Sequence, residues 1–167
     1  MSRQSSDSIL LFIMRHGEAE ALRRDDKSRN LTSFGCAQAV STSKWLVKYT
    51  PAQQIDLALV SPYQRTRQTF DMMTVDNKFS DMEVCDDIVP DGDVHIAHDY
   101  IDAILSQSRY KGLDSLLLVS HMPFVSYFTD EVCRSHRSAL FATGSVAVIR
   151  YNVRRHQGEL IEHYQGQ

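Results

Sequence analysis

The sequence places histidine or arginine side chains shortly after three apolar runs. Arg15 and His16 follow LLFIM, Arg65 comes soon after LALV, and His121 comes after LLLVS. Short apolar runs of this kind are typical of buried parallel strands, and open α/β sheets bind ligands at the carboxyl ends of such strands. We therefore expect these four side chains to meet in one pocket.

These residue types favour phosphoryl transfer. The guanidinium groups of Arg15 and Arg65 can each hold two phosphoryl oxygens, and together they suit a dianion. A neutral ring nitrogen of His16 can attack phosphorus in line if a backbone carbonyl holds the other ring N–H. We expect His121 to stabilise the equatorial oxygens as a charged imidazolium. A helix beginning near Pro62 would add its positive N-terminal end.

The joint pattern is more specific than any of its parts. A histidine after a strand is commonly a structural hydrogen-bonding group, and short motifs have a high false-positive rate. Three apolar runs followed in order by RHGE, SPYQRTRQT and SHMP would rarely arise from packing needs alone. The motifs of nucleotide-binding loops, zinc proteases and serine hydrolases (GxxxxGK[ST], GxGxxG, HExxH and GxSxG) do not occur in the sequence.

The composition is that of an ordinary globular protein. The chain has 167 residues, of which 43% are hydrophobic and 23% charged, and its net charge is -3. We expect a flexible tail over residues 1–8 and one domain over residues 9–167, which is large enough for a buried core. The charge gives no reason to expect a nucleic-acid partner, and the apolar run at residues 9–14 is too short for a membrane span. The three cysteines have neither disulfide-framework nor zinc-site spacing, so we expect the protein in the reducing cytoplasm. We also expect a monomer.

Strands alternate with helices along the chain, which predicts an α/β fold built as a three-layer α/β/α sandwich with a mostly parallel central sheet. Predicted strands cover residues 9–14, 55–60, 82–85 and 116–119, with a closing edge hairpin of residues 145–152 and 159–164. Predicted helices cover residues 33–49 after an N-cap at Thr32, 61–73 with Pro62 in the first position, 94–106 after an N-cap at Asp93, and 123–132. The predicted inner face of the first helix consists of Phe34, Ala37, Val40, Trp45 and Leu46.

The motifs together resemble the histidine phosphatase superfamily, also called the phosphoglycerate mutase-like superfamily. Within it, the chain is similar to the SixA-type phosphohistidine phosphatases. The similar stretches are FIMRHGEAE, NLTSFGCAQA, LVSPYQRTRQT, VPDGD, LLLVSHMPFV and FATGSVAVI, spread over residues 11–151. The resemblance implies a phosphoglycerate mutase-like fold. It also implies hydrolysis of phosphohistidine in another protein, such as the phosphotransfer domains of bacterial signalling proteins, without a metal or cofactor.

Residue by residue, the resemblance implies that His16 is the nucleophile and forms a phosphohistidine that water then hydrolyses. It implies that Arg15 and Arg65 bind the phosphoryl group and that His121 is the second histidine of the pocket. Arg67 is a departure, because relatives often have a small or acidic residue at that position. We retain Arg65 as the ligand because its spacing within the motif fits.

The expected site has no obvious general acid. His121 is followed by Met122 and Pro123, whereas many members of the superfamily supply a carboxylic acid to protonate an alcohol leaving group. An imidazole leaving group, with a conjugate acid of pKa about 6.5, needs far less help than an alkoxide comparable to hydroxide, whose conjugate acid has a pKa of about 15.7. This favours P–N over P–O cleavage. Gly17 and Glu18 belong to the expected substrate-binding loop, where Glu18 could act as a substitute acid or, more simply, position Arg15 or cap a turn.

Two other functions stay open on the sequence. One is a general phosphomonoesterase of the same superfamily, and the other is a phosphate-binding regulatory module that never turns over. A mutase is less favoured, because the chain is short for the cap that would retain a phosphoryl group.

Two further groups of residues could bind ligands but have simpler explanations. A metal could be bound by His95 and His98 with Asp91, Asp93 and Asp99, although histidines with this spacing near a helix start more simply form a solvated face. The charged stretch at residues 18–30 is predicted to be a loop over the site. Its arginines, which are Arg23, Arg24 and Arg29, could contact the rim of a substrate or only solvent.

Overall fold

The computed structural model describes residues 7–22 and 25–166. Its strands are β1 (Ser8–Arg15), β2 (Gln54–Ile55), β3 (Leu57–Val60), β4 (Lys78–Phe79), β5 (Met82–Val84), β6 (Ser115–Ser120), β7 (Val146–Asn152) and β8 (Gln157–Tyr164). Its α-helices are α1 (Ser33–Leu46), α2 (Gln64–Met73), α3 (Val94–Leu105) and α4 (Phe124–Cys133). β1 begins inside the predicted tail of residues 1–8, of which residues 1–6 lie outside the described residues.

The central sheet has six strands in the order β5-β3-β6-β1-β7-β8. The first four strands in this order run parallel to one another, and β7 and β8 form an antiparallel hairpin that closes the sheet. The prediction of an α/β fold with a mostly parallel sheet and an edge hairpin is confirmed. The predicted strand at residues 55–60 is divided in two, because β2 pairs with β4 in a separate small sheet.

Helices cover both faces of the sheet and make the three layers. Alternate residues of β1 point to opposite faces, so Leu11 and Ile13 pack with α3 and α4 while Phe12 and Met14 pack with α1 and α2. All four of these side chains are fully buried. No helix in the described ranges is long and apolar enough to cross a bilayer.

The predicted helix caps at Thr32 and Asp93 are confirmed. The Thr32 hydroxyl accepts a hydrogen bond from the Gly35 amide at 3.0 Å, and the Asp93 carboxylate accepts one from the His95 amide at 2.8 Å. Each cap satisfies an amide that the first turn of a helix leaves without a partner. The caps therefore define where α1 and α3 begin.

The predicted inner face of α1 is wrong in part. Phe34 is 59% exposed and Ala37 is exposed, whereas the buried residues of the helix are Gly35, Ala39, Thr42, Ser43 and Leu46. The hydroxyl groups of this face are buried because they donate to backbone carbonyls, as Thr42 does to Gly144 at 2.6 Å. A pattern based on large apolar residues cannot identify such a face.

The predicted start of α2 is also wrong. The helix begins at Gln64, because Tyr63 has extended backbone angles and serves as the N-cap position. Ser61 and Pro62 therefore belong to the turn that follows β3. This later start places Arg65 in the first turn of the helix, close to the sheet edge.

His98 is not part of a solvated face. It is 9% exposed, its Nδ1 lies 2.9 Å from Glu131, and its Nε2 lies 2.7 Å from the Tyr151 hydroxyl, which donates to Asp102 at 2.6 Å. These contacts connect α3, α4 and β7. Within the described part of the chain, no group of three or more His, Cys, Asp or Glu side chains has an arrangement that could hold a metal ion.

This network predicts a specific loss of stability. Tyr151→Phe removes a hydroxyl that contacts Asp102 and His98, and a buried group that loses its partner costs about 1–3 kcal/mol. We expect the free energy of unfolding, measured in urea, to fall by about that amount. Tyr164→Phe is the matched control, because it removes only a hydroxyl that contacts Ser41 near the surface, and its loss should stay below about 0.5 kcal/mol. Equal losses in the two variants would contradict this account.

Candidate active site

Three neighbouring strands end at the same edge of the sheet. Arg15 at the end of β1 is in register with Ser120 at the end of β6, and Val60 at the end of β3 is in register with Val119 of β6. The residues that follow these strands, including His16 and His121, are therefore brought together. The convergence expected from the sequence is observed.

The ring of His16 is held in one tautomer. Its Nδ1 lies 2.6 Å from the Gly17 carbonyl oxygen. Because a carbonyl oxygen can only accept, Nδ1 must carry a proton, and in the neutral ring Nε2 then keeps its lone pair. The Nε–H of Arg65 points at that lone pair from 3.3 Å. The side chain thus presents an unprotonated Nε2 in a site where His16 is only 6% exposed.

The backbone after His16 depends on a close approach between two glycines. A Cβ on Gly17 would lie 2.4 Å from the Gly35 carbonyl oxygen, and a Cβ on Gly35 would lie 2.0 Å from the Glu18 carbonyl oxygen. The Gly17 amide donates to the Thr69 hydroxyl at 3.1 Å. The first turn of α1 and the side of α2 therefore fix the carbonyl that orients the His16 ring.

Glu18 is placed at the N-terminus of α1. Its exposed carboxylate accepts a hydrogen bond from the Thr32 hydroxyl at 2.8 Å, and its carbonyl oxygen accepts one from the Thr32 amide at 3.0 Å. A negative charge at a helix N-terminus is stabilised by the helix dipole. The contact of the Glu18 carboxylate with Thr32 is that of a capping group, which agrees with the simpler role considered from the sequence and not with that of a substitute acid.

The two predicted phosphate-binding arginines have different partners. Arg65 Nη1 donates to the Asp26 carbonyl oxygen at 2.8 Å and Nη2 to the Asp26 carboxylate at 3.3 Å. Arg15 Nη1 donates to the Phe141 carbonyl oxygen at 2.7 Å, and its buried Nε has no hydrogen-bond partner among the described residues. Burial lowers the pKa of both groups. Arg67, two positions along α2, is exposed, so Arg65 is the arginine that faces the pocket.

His121 closes the pocket from the end of β6. Its Nε2 lies 2.8 Å from the Ser61 hydroxyl, and its ring centroid lies 5.3 Å from that of His16. The Tyr63 ring packs edge-on against it, with centroids 4.8 Å apart. Its Nδ1 is buried and has no partner within the described ranges. This nitrogen is one of the polar atoms left available to a ligand.

Burial keeps both histidines neutral. Burial is the main cause that lowers the pKa of His16 to about 4, and the positive charges of Arg65 and Arg15 add to it. Burial is also the main cause that lowers the pKa of His121 to about 2, and the positive charges of Arg65 and Arg15 add to it. A neutral His16 suits a nucleophile. His121 is thus neutral in the site without a ligand, because a buried cation among guanidinium groups is unfavourable. The expectation of a charged imidazolium concerns the site with a bound phosphoryl group and stays a prediction.

Comparison with known proteins identifies the family. The model of the histidine phosphatase superfamily (branch 1) matches residues 11–88. The phosphohistidine phosphatase SixA homolog of Haemophilus influenzae is 32% identical over 151 residues, which cover 85% of this chain and 88% of that protein. The chain belongs to the histidine phosphatase superfamily. The phosphohistidine phosphatase SixA of Escherichia coli K12 is 33% identical over 140 residues, with 83% of each chain covered.

Solved structures of the superfamily agree with this assignment. The protein histidine phosphatase SixA, solved in complex with tungstate, superposes with a TM-score of 0.84 at 29% identity, covering 94% of this chain and 97% of that chain. The predicted resemblance to SixA-type histidine phosphatases is confirmed, and so is the phosphoglycerate mutase-like fold.

Sequence reasoning missed several residues around this histidine phosphatase site. Asp26 contacts Arg65, and Thr69 supports the loop after His16. Thr69 could have been found, because it lies in the same motif as Arg65. Asp26 lies in a charged stretch whose composition resembles any solvated loop. Of the three arginines considered in that stretch, Arg29 contacts Asp26, and Arg23 and Arg24 lie outside the described residues.

The lowered pKa of His16 predicts a specific dependence of stability on pH. An unfolded histidine has a pKa near 6.5, so below that pH the unfolded chain binds a proton that the folded site resists until about pH 4. The stability is complete above pH 6.5 and is lost as the pH falls toward 4. Integrating over this shift, wild type should lose about 2 kcal/mol more than His16→Gln between pH 7.5 and 5 in urea unfolding. Above pH 7.5 the two curves should run parallel. Parallel curves down to pH 5 would show that burial does not oppose protonation.

Proposed function

We propose that this histidine phosphatase removes the phosphoryl group from phosphohistidine in another protein, through a phosphohistidine formed on its own His16. The observation that carries the proposal is the unprotonated Nε2 of His16 beside Arg65 in a buried, positively charged pocket. The relatives from H. influenzae and E. coli bear the name phosphohistidine phosphatase. The related SixA structure contains tungstate, a tetrahedral oxyanion shaped like phosphate.

The reaction we propose has two displacements. His16 Nε2 attacks phosphorus, the P–N bond of the substrate breaks, and the departing imidazole takes a proton from solvent. Water then attacks the phosphorus on His16, releasing inorganic phosphate and restoring the free Nε2. Arg15 and Arg65 neutralise the oxygens during both steps. A dianion beside His121 offsets the positive charges that lower its pKa, so this imidazole can take a proton once the phosphoryl group is bound.

The surroundings of the pocket favour a P–N substrate. The Glu18 carboxylate is engaged by Thr32, and Met122 and Pro123 follow His121 without supplying an acid. Because neutral imidazole leaves with little proton assistance, P–N cleavage works without a dedicated acid.

The proposal extends to the partner and the setting. We propose that the substrate is a phosphotransfer domain of a bacterial signalling protein and that the enzyme is a cytoplasmic monomer that needs no metal or cofactor. The cysteines, Cys36, Cys85 and Cys133, are free thiols, which suits a reducing compartment.

Trapping the intermediate tests the proposal. The protein is mixed with a phosphotransfer domain carrying ³²P on histidine, quenched in base, and examined for label on His16. We expect a base-stable, acid-labile label in wild type and none in His16→Ala. A phosphate-binding module would bind the labelled domain without becoming labelled or releasing phosphate, and this result would refute the proposal.

Two arginine variants and a substrate panel sharpen the test. Arg65→Ala should lower kcat/KM by about 10²–10³, the loss typical for removal of a group that stabilises a developing oxyanion. The kcat/KM of Arg67→Ala, a variant on the exposed side of the same helix, should stay near that of wild type.

The substrate panel compares turnover of phosphohistidine proteins, phosphotyrosine peptides and sugar phosphates with a chelator present. A clear preference for sugar phosphates would favour a general phosphomonoesterase, and loss of activity with chelator would overturn metal independence.

A further inference from the structure

A carboxylate already lies between two arginines at the mouth of the site. Asp26 Oδ2 accepts from Arg65 Nη2 at 3.3 Å, and Asp26 Oδ1 accepts from Arg29 Nε at 2.9 Å. The carbonyl oxygen of Asp26 accepts a further hydrogen bond from Arg65 Nη1 at 2.8 Å. Asp25 caps the short 3-10 helix in which Asp26 lies, by accepting from the Lys27 amide at 3.2 Å. The two oxygens of the Asp26 carboxylate are thus bound as two oxygens of a phosphoryl group would be.

These contacts engage all three nitrogens of the Arg65 guanidinium through three of its five N–H groups. Nε donates to His16 Nε2, and both Nη atoms donate to Asp26. A phosphoryl group on His16 Nε2 that approaches Arg65 therefore meets the Asp26 carboxylate on the same guanidinium, where the carboxylate competes for the Nη donors and its negative charge repels the phosphoryl oxygens. The Arg65 side chain is 4% exposed and that of Asp26 is 42% exposed. Because the arginine is packed in place and the carboxylate borders solvent, the carboxylate is the group that can move away.

We propose that Asp26 is a specificity-determining residue that competes with phosphoryl oxygens for Arg65. It thereby lowers the affinity of the site for free phosphate and small phosphate esters. The proposal rests on the proposed function of the site as a phosphoryl-binding pocket. It assigns Asp26 no bond to substrate and no proton transfer.

Competition from Asp26 weakens binding most for ligands that make few contacts outside the pocket. Inorganic phosphate or a small ester gains almost all its binding energy from the pocket, so it bears the full cost of displacing the carboxylate. A protein that carries phosphohistidine adds contacts from its surface around the phosphorylated side chain, and these offset the cost. Specificity arises here from an element that weakens binding of the wrong ligand.

Arg29 gives the Asp26 carboxylate a second partner when that carboxylate moves away from Arg65. Its Nη1 donates to the Glu20 carbonyl oxygen at 2.9 Å, so the guanidinium stays attached to the loop while its Nε holds Asp26. Its charge contributes to lowering the pKa of His16, which shows that it acts on the pocket. A carboxylate that leaves Arg65 can therefore stay paired with Arg29.

The test compares Asp26→Asn with Asp25→Asn. Both variants remove one negative charge from adjacent positions in the same loop, but Asp25 contacts the backbone of its own turn and not Arg65. Binding of inorganic phosphate is measured by isothermal titration, and kcat/KM is measured for a small aryl phosphate and for a phosphohistidine protein. We expect Asp26→Asn to bind phosphate about three- to fivefold more tightly than wild type, the upper part of the range that corresponds to one partly exposed ion pair. Asp25→Asn should stay within about twofold.

The ratio of the two kcat/KM values gives the second readout. In Asp26→Asn the value for the aryl phosphate should rise more than that for the phosphohistidine protein. Unchanged or weaker phosphate binding in Asp26→Asn would overturn the proposal, as would an equal gain in Asp25→Asn. The labelling experiment distinguishes a failure of the proposed function from a failure of this proposal. If the proposed function is wrong, wild type forms no label on His16, while the phosphate titrations still measure the effect of Asp26.

Discussion

The hydrogen bond between His16 Nδ1 and the Gly17 carbonyl oxygen is the contact on which the rest of the site depends. It determines which ring nitrogen carries the proton and leaves Nε2, the proposed nucleophile, unprotonated. The bond joins neighbouring residues, but its geometry depends on residues far along the chain. The Gly17 amide donates to Thr69 of α2, and the loop lies against Gly35 of α1. Both helices on this face of the sheet therefore position one carbonyl oxygen.

The second constraint is charge in a buried pocket. Arg15 and Arg65 are gathered at one sheet edge with few anionic partners, and burial raises the cost of every further positive charge. The neutrality of His16 and His121 follows from this, and so does the affinity for a dianion that we propose for the pocket. Asp26 relieves part of the charge in the free protein, which links the stability of the unliganded site to its selectivity.

The location of the site could be predicted because it depends on strand polarity. Parallel buried strands bring their carboxyl ends to one edge, so residues such as His16 and His121 could be placed together from apolar runs alone. Features that depend on tertiary contacts could not be predicted. The buried face of α1 is formed by small hydroxyl residues with carbonyl partners, His98 is buried because Tyr151 and Glu131 satisfy it, and Asp26 lies in a loop without a distinctive pattern.

The ¹⁵N chemical shifts of the His16 side chain test the central claim most directly, because they distinguish protonated from unprotonated ring nitrogens. With His16 assigned by comparison with His16→Gln, the structure predicts a protonated Nδ1 and an unprotonated Nε2 at pH 7, with no change down to about pH 5. An imidazolium at pH 7, or a ring protonated at Nε2 with a free Nδ1, would contradict the account.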